Sequence, residues 1–87
     1  MLTMTQAAGG YVNQMLNEVD AGHEAALRLM AEPNGVKTAL DTPRAGDRSF
    51  AYEGRNVVVV DEQTSEVLSS STLDVEVTPT GKKLILA

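Results

Sequence analysis

The 87-residue sequence contains no cysteine, no tryptophan and a single histidine, His23. The missing cysteines exclude disulfides, thiolate metal ligands and a cysteine nucleophile together. One imidazole is too few for most metal sites and leaves a catalytic triad without its partners. Long apolar runs are absent too: no stretch approaches the roughly 20 apolar residues of a membrane helix. Residues 1–6 lack the basic start and apolar run of a signal peptide, so the expected location is the cytoplasm. Tyr11, Phe50 and Tyr52 are the whole aromatic complement. The core must therefore come from Val, Leu, Ala and Met, and stacking platforms for single-stranded nucleic acid are missing. Basic residues are scarce, seven against twelve acidic ones, for a net charge of −5. They are scattered, with Lys82-Lys83 the only adjacent pair, which argues against phosphate backbones and anionic lipid surfaces as partners.

What remains describes a small folded protein. A length of 87 residues implies one domain, 1–87. A chain this short buries a modest share of its surface, so its stability margin is expected to be small. Ala8, Val12, Met15, Leu16 and Val19 recur at helical spacing and predict an N-terminal helix. Thr5 or Thr3 caps it, Thr3 having Gln6 at capping-box spacing. Gly9 and Gly10 interrupt the pattern, and close packing against a sheet is the simplest reason. Ala21-Gly22 is expected to end the helix through a left-handed glycine.

From Ala25 the period becomes two. Ala25, Leu27, Leu29 and Ala31 fall on one face, with Arg28 and Glu32 on the other, as in a half-buried strand. Glu32-Pro33-Asn34-Gly35 is turn chemistry, after which Val36, Thr38 and Leu40 alternate with Lys37 and Asp41. A polar loop over 42–48 precedes a short strand in which Phe50 and Tyr52 share a face. Glu53-Gly54-Arg55-Asn56 turns the chain into 57–60, a β-branched run of the kind covered on both faces. Asp61 is a good N-cap, Glu62 suits the helix dipole, and Val67 and Leu68 are expected to form the buried side of a short second helix. Leu73, Val75 and Val77 alternate with polar residues, and Pro79-Thr80-Gly81 turns them into a returning strand. Asp74 and Glu76 are expected opposite Lys82 and Lys83.

The order of these elements, with Leu2 to Ala8, Leu27-Arg28-Leu29, Val57-Val58-Val59-Val60-Asp61 and Leu73-Asp74, resembles the HesB/IscA-type A-type carriers of iron–sulfur cluster assembly. The resemblance implies an α+β, β-rich domain: an N-terminal helix, mixed short strands, a second short helix and a C-terminal hairpin. It also implies three cluster-binding cysteines. One belongs in the turn after the first core strand, where Pro33 stands in its place, followed by Asn34 and the matching Gly35. A Cys-Gly-Cys pair belongs beyond the last strand, and the sequence reaches Ala87 without it. All three ligands are expected to be lost, two by truncation and one by substitution. Thiolates are what select iron–sulfur clusters, so a degenerate, cofactor-free relative is expected.

Other constellations are thin. Asp20, His23 and Glu24 form a loop able to hold a metal weakly, and a solvated loop is the plainer reading. The polar run of Ser69, Ser70, Ser71 and Thr72 lacks the glycine pattern of a phosphate loop. Glu62 and Glu66 lie one helical turn apart, and an exposed acidic face accounts for them. Met15 and Met30 are expected to fill core gaps rather than join Met1 and Met4 in a soft metal stripe. The resemblance therefore implies a non-enzymatic protein acting through contacts with an iron–sulfur assembly or redox protein, or with itself as a homodimer. A small-molecule or weak metal binder using the turn of Pro33, Asn34 and Gly35 with the His23 loop is the alternative.

Overall fold

The computed structural model describes residues 2–20, 22 and 24–87. In chain order the elements are β1 (Thr3–Met4), α1 (Gln6–Glu18), β2 (Ala26–Glu32), β3 (Gly35–Asp41), β4 (Arg48–Tyr52), β5 (Arg55–Val60), α2 (Glu62–Val67), β6 (Thr72–Thr78) and β7 (Gly81–Leu86). They form two mixed sheets. One has the order β3-β2-β5-β4, with β2 and β5 parallel; the other has the order β1-β6-β7, with β1 and β6 parallel.

Helix α1 packs against β2, β4, β5 and β6, so it joins the two sheets. Its apolar stripe, Ala8, Val12 and Leu16, is fully buried against Leu2, Leu27, Leu29, Val57, Val58, Val60, Leu68 and Leu73. Thr5, not Thr3, is the N-cap: its hydroxyl accepts from the Ala8 N–H at 3.1 Å. Thr3 belongs instead to β1, a strand that the helical pattern of the neighbouring residues conceals. Gly9 and Gly10 lie under the Tyr52 side chain. A Cβ at Gly9 would stand 2.9 Å from Tyr52 Cδ1, which is the close helix-to-sheet packing their presence suggested. The helix ends two residues earlier than expected. Val19 is the C-cap, and Asp20, at φ 51°, takes the left-handed conformation ahead of Gly22. An aspartate tolerates that region better than most residues.

Strand β2 departs from the half-buried reading. It is the inner strand between β3 and β5, and Ala26, Leu27, Arg28 and Leu29 are all buried, so both faces are covered. Along β5 the four valines 57–60 are likewise fully buried. Helix α2 also differs in detail. Leu68 is buried, but Val67 is 63% exposed, and Thr64 and Ser65 take the inner face. The reason is a hydrogen bond: Thr64 Oγ1 accepts from the Ala31 N–H at 3.2 Å and ties α2 to β2.

In the C-terminal hairpin Glu76 pairs with Lys83, and their side chains meet at 3.6 Å, as expected. The partner of Lys82 is Val77, while Asp74 faces Ile85. Asp74 accepts instead from the Thr5 hydroxyl at 2.9 Å, linking the hairpin to the start of α1.

Candidate functional site

The turn between β2 and β3 is the position that the sequence singles out. Glu32 and Gly35 close the ladder as its last pair, leaving Pro33 and Asn34 at the tip. Gly35 has φ 147°, a conformation that a side chain disfavours, and residues 32–35 are exposed. Proline presents only a hydrocarbon ring here, and asparagine a neutral amide.

Asp20 and Glu24 lie at the opposite end of β2, both exposed; His23 lies outside the described residues. Six residue steps of strand separate the two ends, about 20 Å at the usual rise. The structure therefore does not bring the two halves of the expected ligand site together. Among the described residues no three of His, Cys, Asp and Glu group as metal ligands. Glu62 and Glu66 are exposed on α2, where they border a small recess with Arg48, Ser65 and Ser69.

Glu24 borders a larger open cleft of about 630 Å³ together with Thr42, Pro43, Gly54, Arg55 and Asn56. Two arginines build its walls. Arg55 donates from Nη1 to Asn17 Oδ1 at 3.1 Å and from Nη2 to the Gly22 carbonyl at 2.6 Å, fastening the end of α1 to the approach to β2. Its buried Nε has no partner among the described residues.

Arg28 fixes the other wall. It projects from the middle of β2, on the face opposite Leu27 and Leu29, and is 6% exposed. Nε donates to Asp41 Oδ2 at 2.8 Å; Nη1 and Nη2 donate to the two oxygens of Asp47 at 3.1 and 2.6 Å; Nη2 also reaches the Thr42 carbonyl at 3.3 Å. Arg44 closes the cluster. Its backbone N–H donates to Asp47 Oδ2 at 2.7 Å, and its guanidinium to Asp41 Oδ2 at 2.7 Å. One buried guanidinium thereby folds the loop 42–47 back over the sheet and sets Thr42 and Pro43 against the cleft.

The charges are mutually satisfied. Hydrogen bonds from Arg28, then the Arg44 N–H, hold the Asp47 carboxyl below the usual carboxylate range against the opposing effect of burial. Asp41 is lowered chiefly by the Thr42 N–H and then by Arg28. Asp61, the α2 N-cap, is lowered by the Thr64 N–H at 2.7 Å. Asp47 raises the Arg28 pKa most strongly. Such a cluster holds a loop in place; with its donors and acceptors engaged on each other, it offers no free base or nucleophile. Sequence reading missed it because strict alternation sends Arg28 to solvent. The available signal was the loop itself, which carries Asp41 and Asp47 at its two ends.

The sequence matches no family model and no curated protein. Solved structures do match. Escherichia coli SufA, involved in biosynthesis of iron–sulfur clusters, superposes with a TM-score of 0.73 at 18% identity, over 99% of this chain and 83% of that one. IscA with the [2Fe-2S] cluster gives 0.66 at 15% identity, over 100% and 84%. A protein from Aquifex aeolicus solved by NMR gives 0.67 at 24% identity, over 99% and 89%. The chain has the HesB/IscA-like fold.

That fold in IscA is described with a cluster, and the residues of this chain do not fit one. These 87 residues supply no thiolate, and the exposed β2–β3 turn carries Pro33. Asp41 and Asp47, both part-buried carboxylates, are occupied by arginine. None of the helices among the described residues is long and apolar enough to cross a membrane.

Proposed function

We propose that this chain is a non-enzymatic relative of the iron–sulfur carriers that binds no cluster through residues 1–87 and acts by contact with other proteins. A cytoplasmic iron–sulfur assembly or redox protein is the expected class of partner. The observation that carries the reading is the pairing of this fold with 87 residues that hold no thiolate. The HesB/IscA-like fold extends over at least 99% of the chain, yet no cysteine occurs anywhere in it. Oxygen ligands and one imidazole do not substitute for soft thiolates in holding iron and sulfide.

Anaerobic reconstitution with ferrous iron and sulfide, followed by desalting and visible absorption, tests this. The expected spectrum is featureless, with no bound iron. A stable cluster at a fixed ratio to protein would overturn the reading.

The small-molecule or metal-binding alternative draws support from one feature, the open cleft that Glu24 borders beside His23 in sequence. The Pro33 turn contributes nothing to it, being at the far end of β2. A thermal-shift screen separates the two readings: ligand-dependent stabilisation that a Glu24→Ala variant abolishes would favour the cleft.

A further inference from the structure

Four asparagines occur in the chain, Asn13, Asn17, Asn34 and Asn56, and only Asn34 is followed by glycine. An asparagine amide is open to attack by the backbone nitrogen of the next residue, and the fold decides which of the four allows it. Asn13 and Asn17 lie inside α1, where the N–H groups that follow them belong to the helical ladder. Asn17 is further held by Arg55, which donates to its Oδ1 at 3.1 Å. Asn56 lies in β5 and precedes Val57, a fully buried β-branched residue that crowds the attacking nitrogen. Asn34 stands apart. It sits at the tip of the β2–β3 hairpin, outside both strands, and both it and Gly35 are exposed. Gly35 belongs to the last rung of the ladder, the end that opens most readily. It has no side chain to shield its nitrogen, and a Cβ built there would meet nothing within 4 Å, so the space around the attacking atom is open.

We propose that Asn34 is a site of spontaneous modification, at which the folded chain converts its own side-chain amide to a carboxylate. The Gly35 N–H gives its proton to hydroxide, and the nitrogen attacks Asn34 Cγ. A bond from Gly35 N to Cγ forms, the Cγ–Nδ2 bond breaks, and Nδ2 takes a proton from water and leaves as ammonia. The product is a five-membered cyclic imide. Water then opens the ring at either carbonyl carbon. Cleavage at Cγ leaves aspartate; cleavage at the backbone carbonyl leaves isoaspartate, with the chain running through the former side chain. No atom is oxidised or reduced. Either product adds one negative charge to the net charge of −5 and puts it close to Glu32 at the exposed tip. The isoaspartyl form also lengthens the backbone by one methylene, so the Glu32–Gly35 rung loses its register. The charge at this tip therefore records the age of the molecule. The inference stands apart from the proposed function and needs neither a partner nor the loss of a cluster.

Peptide mapping by mass spectrometry tests it, on the folded full-length chain aged at mildly alkaline pH and sampled over days, beside a sample unfolded in urea. The expected result is conversion at Asn34 in the folded chain, with Asn13, Asn17 and Asn56 unchanged and the rate rising with hydroxide concentration. Aspartate and isoaspartate should both appear, the pair that opening of a cyclic imide gives. Asn34→Gln, whose amide would have to close a six-membered ring, should stay unconverted under the same conditions. An Asn34 that remains intact in the folded chain, whatever happens in urea, overturns the proposal, because the turn then protects it. Aspartate without isoaspartate overturns it as well, since direct hydrolysis of the amide gives that product alone. Equal conversion of all four asparagines in the folded chain would show that the fold does not select this site, and would overturn it too.

Discussion

Arg28 Nη2 and Asp47 Oδ2 stand 2.6 Å apart, between the inner strand of the four-stranded sheet and a loop 19 residues later in the chain. Their side chains are 8% and 6% exposed. A pair this enclosed is worth little against an apolar pair of equal shape, but removing Asp47 takes two hydrogen bonds from the buried Arg28 and leaves Asp41 as its one remaining carboxylate. Asp47→Ala should therefore destabilise the protein by about 2 kcal/mol. Arg44→Ala touches the same cluster from a side chain that is 68% exposed, and should cost about 0.5 kcal/mol. Urea unfolding midpoints measure both. Equal effects would show that the loop is not held by burial of the Arg28–Asp47 pair.

The same cluster sets an acid limit. Asp41, Asp47 and Asp61 all have native pKa values below the ordinary 3.8, from hydrogen bonds that the unfolded chain lacks. Carboxylates depressed in the native state contribute stability that is complete above the unfolded value and is lost as pH falls through the native values. Arg28 stays protonated throughout and adds no pH dependence. The melting temperature should be nearly flat from pH 6 to 8 and fall below about pH 4. In Asp47→Asn that acid slope should be shallower, because one of the three linked protons is gone. Calorimetry in matched ionic strength measures it.

Tyr52 lies across Gly9 and Gly10, and the two glycines differ in what a methyl would meet. At Gly9 the added Cβ would be 2.9 Å from Tyr52 Cδ1 and 3.2 Å from Tyr52 Cβ, close to a backbone that cannot swing aside. At Gly10 it would be 3.3 Å from the Tyr52 hydroxyl, the free end of the ring. Alanine gains about 1 kcal/mol in helix propensity at either site, against an overpacking cost of about 1–3 kcal/mol. Gly9→Ala should lose stability on balance and Gly10→Ala should be neutral or gain. In a Tyr52→Ala background the Gly9→Ala penalty should shrink, because Cδ1 is removed while the β-carbon of residue 52 and Met4 Cε at 3.1 Å remain, a coupling that a double-mutant cycle reads directly.

How much of this was visible in the sequence depended on whether a residue's partner was local. The valines 57–60 announced an inner strand, and Gly9-Gly10 a close approach, because β-branching and missing side chains act at their own positions. Asp61 was legible as a cap because the N–H it accepts from is three residues away. Arg28 was misplaced because the carboxylates that make its burial tolerable lie 13 and 19 positions on. Val67 was misplaced because the inner face of α2 follows Thr64 and its bond to β2, not hydropathy. Pro33 stood out only through the resemblance, which supplied the expectation of a cysteine that the residues themselves do not carry. The cleft needed Glu24, the loop 42–47 and the β4–β5 turn together, and no local pattern joins them.

Thr5 holds two parts of the molecule at once. Its oxygen accepts from the Ala8 N–H at 3.1 Å, capping α1, and its proton goes to Asp74 Oδ1 at 2.9 Å on β6. The backbone N–H of Thr5 adds a bond to the Leu73 carbonyl at 3.0 Å. Loss of an N-cap alone costs about 1 kcal/mol. Thr5→Val removes both side-chain bonds while keeping shape, so it should cost about 2 kcal/mol. Asp74→Ala removes one bond of Thr5 and also the Asp74 acceptor for the Val75 N–H at 2.8 Å. In combination the two losses should be less than additive, since the Thr5–Asp74 bond can be lost only once. Hydrogen exchange locates the effect. Ala8 and the first turn of α1 should lose protection in Thr5→Val but keep most of it in Asp74→Ala. Equal loss in both variants would mean that the hairpin, not the cap, holds the helix start.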